Sequence, residues 1–139
     1  MVRKPHHIYC EMYGVNIYLY QAIPPEEVSV SIEIHLANTY AKEGLEGANG
    51  KAIEFWNGDY VIWVKGSGKK YISALAHECL HITNMILNNR GVGITLDNDE
   101  AQAYLMEFIF KKCLEAKRQC RRIIGEDNGT RDNERRRKD

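Results

Sequence analysis

Two histidines and a glutamate in the segment 75–81 have the types and the spacing of a catalytic zinc site. His77, Glu78 and His81 form the pattern HExxH. On a helix, His77 and His81 lie one turn apart on one face, so both imidazoles can reach a single metal ion. Glu78 then lies on the adjacent face, where its carboxylate can take a proton from a zinc-bound water. The segment therefore predicts a zinc site and its general base on one helix.

The residues around the motif favour this interpretation over a chance match. Apolar residues recur near helical spacing on both sides of it, at Ile72, Leu75, Ala76, Leu80, Ile86 and Leu87. Such a helix has a buried side, and polar residues on a half-buried helix need partners. We therefore expect the two histidines to bind metal.

A catalytic zinc takes three protein ligands and keeps one open position, so one further ligand is required. No histidine follows His81, which excludes the longer HExxHxxGxxH motif. The acidic segment that begins at Asp97 opens a second predicted helix, and its Glu100 lies 19 residues after His81 (100 − 81). We predict that Glu100 is the third ligand.

The segments HECLH and DNDEAQAY resemble those of the gluzincins, zinc peptidases with an HExxH helix and a glutamate from a following helix. The loop length is similar to that of the thermolysin-like members. The likeness is closest to the small single-domain versions, the minigluzincins, some of which are phage-encoded, so the chain could be phage-derived. It covers roughly residues 50 to 115. The resemblance implies a cytoplasmic zinc metalloprotease, a hydrolase with one Zn²⁺ per chain and a peptide or protein substrate.

The resemblance leaves two supporting roles open. Thermolysin-like enzymes carry an acidic residue one turn after the glutamate, which steadies the first histidine, but Tyr104 stands there in this sequence. Asp97 and Asp99 are the alternatives for that role. The candidates for stabilising the oxyanion of the transition state are Tyr104, Tyr71, His6, His7 and His35, although residues of these types are more often surface or packing residues.

Length and composition predict a single domain over residues 1–124. Lysine and arginine number 19, as do aspartate and glutamate, so the balance gives no reason to expect a nucleic-acid or membrane partner. We find no signal peptide or spanning segment and expect a cytoplasmic protein. Four cysteines without a CxxC pair fit free thiols: Cys10, Cys79, Cys113 and Cys120.

Residues 125–139 are predicted to be a disordered, charged tail. Its run 135–138 is basic, but nearby acidic residues offset it, and we favour a solvated tail over a phosphate-binding arm.

The rest of the chain predicts a small α+β fold. Residues 8–13 and 15–23 are predicted to form a β-ribbon around Gly14. The run after Pro24 alternates like a strand but also has helical spacing, and we predict a helix that ends at Gly44. Asn57-Gly58 predicts a type I′ hairpin between residues 52–56 and 59–64. A small antiparallel sheet would pack on the HExxH helix and on the following glutamate-bearing helix, as in the zincins.

Two functions from different classes remain possible. In the first, a zinc metallopeptidase uses Glu78 as its general base. By resemblance, the strand before the HExxH helix, Tyr60, Val61, Ile62, Trp63 and Val64, would be the edge strand that pairs with an extended substrate. In the second, the same fold binds zinc without turnover and acts as a regulatory or protein-interaction module. The sequence does not determine the oligomeric state.

Overall fold

The computed structural model describes residues 1–66 and 68–117. Its elements, in chain order, are β1 (His6–Cys10), β2 (Val15–Gln21), α1 (Pro25–Leu36), a short 3-10 helix (Lys42–Gly44), β3 (Gly50–Glu54), β4 (Tyr60–Val64) and α2 (Lys69–Asn89). Residues 100–117 are helical and are called α3. The predicted α+β class is confirmed.

The four strands form a mixed sheet with the order β1-β2-β4-β3. The β1–β2 and β3–β4 pairs are antiparallel, but β2 and β4 are parallel, so the prediction of an antiparallel sheet is wrong. A connection through α1 separates β2 from β3 and lets β4 return alongside β2 in the same direction. The parallel pair places β4 in the interior of the sheet.

Interior placement of β4 also corrects the prediction that Tyr60, Val61, Ile62, Trp63 and Val64 form the substrate-binding edge. This strand bonds to β2 on one side and to β3 on the other, so its backbone groups are occupied. All five residues are buried, as a two-sided interior strand requires. The free edge next to the HExxH helix belongs to β3.

Turn chemistry explains where the strands reverse. Gly14, with a φ of +63°, lies between β1 and β2 as predicted. The β3–β4 hairpin turns at Asn57-Gly58, but only Gly58 takes a positive φ, +88°, so the type I′ prediction is wrong. Bonds from Gly58 N–H to Phe55 O and from Phe55 N–H to Asp59 O close a three-residue loop instead.

Helices cover both faces of the sheet. The predicted helix after Pro24 is present as α1, which begins with Pro25 at its first position and has acidic residues in its first turn, but it ends at Leu36, earlier than the predicted Gly44. Its buried side chains pack with those of Tyr20, Val61 and Trp63. Helices α2 and α3 pack on the opposite face, where the buried residues of both helices join those of Tyr60, Ile62 and Val64.

Helices α2 and α3 run antiparallel. Gln102 Nε2 donates to Asn84 Oδ1 at 2.8 Å, whereas the later Cys113 contacts the earlier Cys79 and Lys117 lies over the ring of Tyr71. Helix α2 ends at Asn89, and Gly91 follows with a φ of +69°, the left-handed conformation in which glycine commonly ends a helix. The antiparallel arrangement sets the start of α3 beside the second half of α2.

Several predictions lie outside the described residues: Cys120, the end of the predicted domain at 124, and the tail 125–139 with its basic run. Cys10, Cys79 and Cys113 are buried free thiols, as predicted for them. Among the described helices, none has the length together with the apolar composition that crossing a membrane requires.

Candidate active site

The histidines of the motif converge on the exposed side of α2. Their Nε2 atoms are 3.1 Å apart, with the ring planes at 73° to each other. Both side chains are exposed, whereas the next residues on the other side of the helix, Cys79 and Ile82, are fully buried. The motif therefore presents two imidazole nitrogens to one point at the surface.

That separation is what two zinc ligands need. Two nitrogens about 2.0–2.1 Å from a tetrahedral ion lie roughly 3.3 Å apart. The same distance also suits a hydrogen bond between a neutral ring and its neighbour. The pair fits two positions of a single zinc ion.

Glu78 lies beside this pair and is nearly buried, with 7% of its surface exposed. Burial raises the pKa of its carboxyl group, while His77, His81, Lys51 and a hydrogen bond from the N–H of Ala52 lower it. The net effect is that the pKa of Glu78 is raised. A carboxylate with a raised pKa is a better proton acceptor than an exposed one, which suits a general base.

The wall that buries Glu78 is the start of β3. A Cβ added to Gly50 would lie 2.9 Å from Glu78 Cγ and 3.3 Å from its Oε1. Glycine at position 50 therefore leaves the room that the Glu78 side chain occupies. A cavity of about 540 Å³ opens here, lined by Asn49, Gly50, Lys70, Ser73, Ala74, His77 and Glu78.

Strand β3 supplies a free edge along this cavity. The carbonyl of Asn49 accepts the N–H of Lys65, and the N–H of Phe55 donates to the carbonyl of Asp59. Hydrogen-bonded residues alternate along an antiparallel strand, so the backbone groups of Lys51 and Ile53 also point toward β4. Gly50, Ala52 and Glu54 then direct their backbone N–H and C=O groups outward. In the described part of the chain, β3 ends the sheet on this side and its outer edge has no strand partner.

The site residues predicted in and just before α3 do not form a compact group with the histidine pair. Glu100 is the first residue of α3 and is exposed, as are Asp97, Asp99 and Tyr104. The carbonyl of Asp99 accepts the N–H of Ala103, which makes Asp99 the cap of the helix. Among the residues described, no group of three His, Cys, Asp or Glu side chains is placed to hold a metal ion. Whether Glu100 is a ligand stays a prediction.

The other oxyanion candidates lie away from the histidine pair. Tyr71 is buried in the core and its hydroxyl donates to Gln21. His6 and His7 belong to β1, at the far edge of the sheet, and His7 stacks on Tyr18. His35 is on α1, across the sheet. These four side chains have packing or surface roles, and Tyr104 alone stays a candidate.

Sequence reasoning missed three contributors to the site: Gly50, the N–H of Ala52 and Lys70. Lys70 precedes His77 by two helical turns, a spacing visible in the sequence. Gly50 and Ala52 come close to Glu78 only through the packing of β3 on α2, for which no local signal exists.

Comparison of the chain with protein-family models, with curated proteins and with solved structures gives no significant match.

Proposed function

We propose that the protein is a zinc-dependent metallopeptidase with a zincin-like arrangement of sheet and helices. The observation that carries the proposal is the convergence of His77 and His81 Nε2 to 3.1 Å beside the nearly buried Glu78. An HExxH segment that arose by chance would not be expected to place its glutamate against a free strand edge. Here His77 and Glu78 line the same cavity as Gly50 at the start of the free edge of β3.

In the proposed site His77 and His81 hold one zinc ion, and Glu100 completes the ligand set. A bound zinc would supply Lewis-acid polarisation of the scissile carbonyl and lower the pKa of water. The Gln102–Asn84 hydrogen bond supports the role of Glu100, because it fixes the first turn of α3 next to α2, three residues after His81. Asp97 and Asp99 remain the alternatives, and Tyr104 is the remaining candidate for stabilising the oxyanion.

Glu78 performs the proton transfers. Its carboxylate takes a proton from the attacking water and later delivers it to the leaving amine. The N–H of Ala52 holds the carboxylate in place, and the raised pKa favours proton uptake. Burial by Gly50 limits the rotamers that Glu78 can adopt.

The substrate would be an extended peptide that adds a strand to β3, not to β4 as the sequence suggested. The outward C=O group of Ala52 and the outward N–H and C=O groups of Gly50 and Glu54 can bond to a peptide backbone of any sequence, whereas the N–H of Ala52 is bonded to Glu78. Gly50 and Ala52 are also the residues next to Glu78. A peptide on this edge therefore passes the proposed base.

The test replaces Glu78 with Gln, which keeps its size and hydrogen-bonding capacity but removes the basic carboxylate. We expect Glu78→Gln to bind zinc and to lose about 10² to 10⁴ in hydrolysis rate. The assay compares the zinc-loaded proteins on a mixed peptide library by mass spectrometry. Glu107→Gln, an exposed change on α3, is the control and should retain wild-type activity. Equal cleavage by wild type and Glu78→Gln would refute the mechanism.

A zinc-binding module without turnover is the second candidate. It is favoured by the weak case for an oxyanion stabiliser, since Tyr104, the remaining candidate, is exposed on α3. In that case the wild-type protein would bind zinc but would cleave no peptide in the library. The same experiment therefore discriminates between the two functions.

A further inference from the structure

Positive charge collects at one end of the cleft between β3 and α2. Lys65, Lys69 and Lys70 occupy the connection from β4 and the first turn of α2, and that turn contains no acidic residue. Among the residues described, none of the three lysines forms an ion pair, and all three are exposed. The start of α2 also has no side-chain cap, so its free N–H groups add to the positive potential.

The opposite end of the cleft has a different character. Glu54 and Asp59 border a cavity of about 590 Å³ with Asn89, Arg90 and the fully exposed Trp56. Glu54 accepts a hydrogen bond from Asn89, near the end of α2. Glu54 lies four residues from Gly50, a distance of roughly 13 Å along an extended strand. The end near Lys70 therefore carries three lysines, whereas the end near Glu54 carries two acidic side chains and Arg90. Lys51 of β3 lies between the two ends, close enough to Glu78 to lower its pKa.

The distribution of charge along the cleft favours one direction for a peptide that adds a strand to β3. A peptide antiparallel to β3 would have its N-terminal part beside Glu54 and its C-terminal part beside Asn49 and Lys70. Antiparallel pairs are also the commoner kind. The residues after the scissile bond would then enter the basic end of the cleft.

Lys70 is the lysine placed to contact those residues. It lines the same cavity as His77 and Glu78, whereas Lys69 does not. Lys70 precedes His77 by seven residues, about 10 Å along the helix axis, and its side chain reaches roughly 6 Å. A carboxylate held by Lys70 would belong to a residue within about three positions of the scissile bond.

We propose that Lys70 selects peptides that carry a carboxylate, an acidic side chain or the free C-terminus, within about three residues on the C-terminal side of the scissile bond. The proposal rests on the proposed peptidase function. Lys70 acts on substrate binding alone, so its contribution can be measured without turnover.

The experiment measures binding and cleavage separately. Fluorescein-labelled octapeptides of alternating Val and Ser, amidated at the C-terminus, carry Asp, Asn or Lys at position 6. Their affinities for zinc-loaded Glu78→Gln protein are determined by fluorescence anisotropy. We expect the Asp peptide to bind about threefold more tightly than the Asn peptide, as for one exposed ion pair, and the Lys peptide to bind most weakly. The preference should shrink at high salt.

Lys70→Glu in the same background should reverse the order of the three peptides. Lys69→Glu makes the same change of charge one residue away and should preserve it. Circular dichroism spectra establish that each variant is folded. Equal affinities for the Asp and Asn peptides, or equal effects of the two lysine variants, would overturn the proposal.

Cleavage by the wild-type protein separates this proposal from the proposed function. A Lys70-dependent preference without any cleavage of the mixed library would sink the peptidase function and leave the carboxylate site standing. Cleavage without enrichment of acidic residues or chain ends after the cleaved bond would support the peptidase function and overturn the role of Lys70.

Discussion

Gly50 is the residue on which the position of the Glu78 carboxylate depends most directly. A methyl group there would come within 2.9 Å of Glu78 Cγ and 3.1 Å of the carbonyl oxygen of Trp63, which belongs to the backbone and cannot turn aside. We predict that Gly50→Ala displaces Glu78 and lowers kcat by about tenfold or more, because misplacement of a base by even 1 Å is costly. Zinc affinity should change little, since the three atoms nearest the added methyl group belong to Glu78 and Trp63 and not to either histidine.

Gly66→Ala is the matched control for that prediction, because a Cβ at position 66 meets no atom within 4 Å. Steady-state kinetics on one library-derived peptide, with zinc content measured in parallel, compares the two variants. Similar kcat values for both would mean that the Glu78 side chain relocates without loss.

Glu100 provides the second test at this scale. If Glu100 is the third ligand, Glu100→Ala removes an oxygen bonded to the metal and should weaken zinc binding by more than about tenfold. Glu107→Ala, a change at an exposed position of the same helix, should leave the affinity unchanged. Competition titration with a zinc chelator measures both. If the two variants bind equally well, the search for the third ligand returns to Asp97 and Asp99.

At the scale of secondary-structure elements, the interior strand β4 packs against helices on both faces of the sheet. Trp63 is fully buried between the sheet and α1, and its Nε1 donates to the carbonyl of Ile23 at 2.8 Å. Trp63→Phe removes the donor and leaves a buried carbonyl without its partner as well as a small cavity. We predict a loss of about 2–4 kcal/mol in the free energy of unfolding.

The second tryptophan of the chain offers the control. Trp56 is fully exposed at the hairpin loop, so Trp56→Phe should change the free energy of unfolding by less than about 0.5 kcal/mol. Urea denaturation followed by circular dichroism gives both values. A comparable loss in the two variants would contradict the interior position of β4.

At the scale of the whole molecule, the histidines of the proposed metal site lie outside the packed core. The buried clusters on the two faces of the sheet include neither His77 nor His81, and both histidines are exposed. We therefore predict that chelation removes zinc while the circular dichroism spectrum of the fold persists. Zinc in hundredfold excess over its Kd should stabilise the protein by about 2.7 kcal/mol, since it binds the folded state alone.

His81→Ala should abolish that zinc-dependent rise in Tm, and His7→Ala, on the far edge of the sheet, should not. Thermal unfolding with and without added zinc checks both. Complete unfolding on chelation would mean that the metal is a structural part of the fold. Absence of any zinc from the native and the reconstituted protein would end the argument for a zinc site.

The sequence by itself determined the local features of this protein. HExxH spacing placed two imidazoles on one helical face because 3.6 residues make a turn, and the alternation in β4 assigned Tyr60, Ile62 and Val64 to one face and Val61 and Trp63 to the other. Proline marked the start of α1, and glycine marked the end of α2 and the turn at Gly14, whereas Gly44 did not mark the end of α1, which lies at Leu36. Each of these depends on residues a few positions apart.

Only the tertiary structure decided which strand lies at the edge and what surrounds Glu78. An alternation with a period of two determines which side chains share a face of a strand but not which strands are its neighbours. The sequence pattern of β4 is therefore compatible with an edge strand and with an interior strand. Its parallel pairing with β2 joins residues more than 40 positions apart, a choice made by the packing of α1 and α2 on opposite faces. The same packing brings Gly50 and Ala52 to Glu78 and leaves the edge of β3 free, because contacts between distant segments have no signature in local spacing.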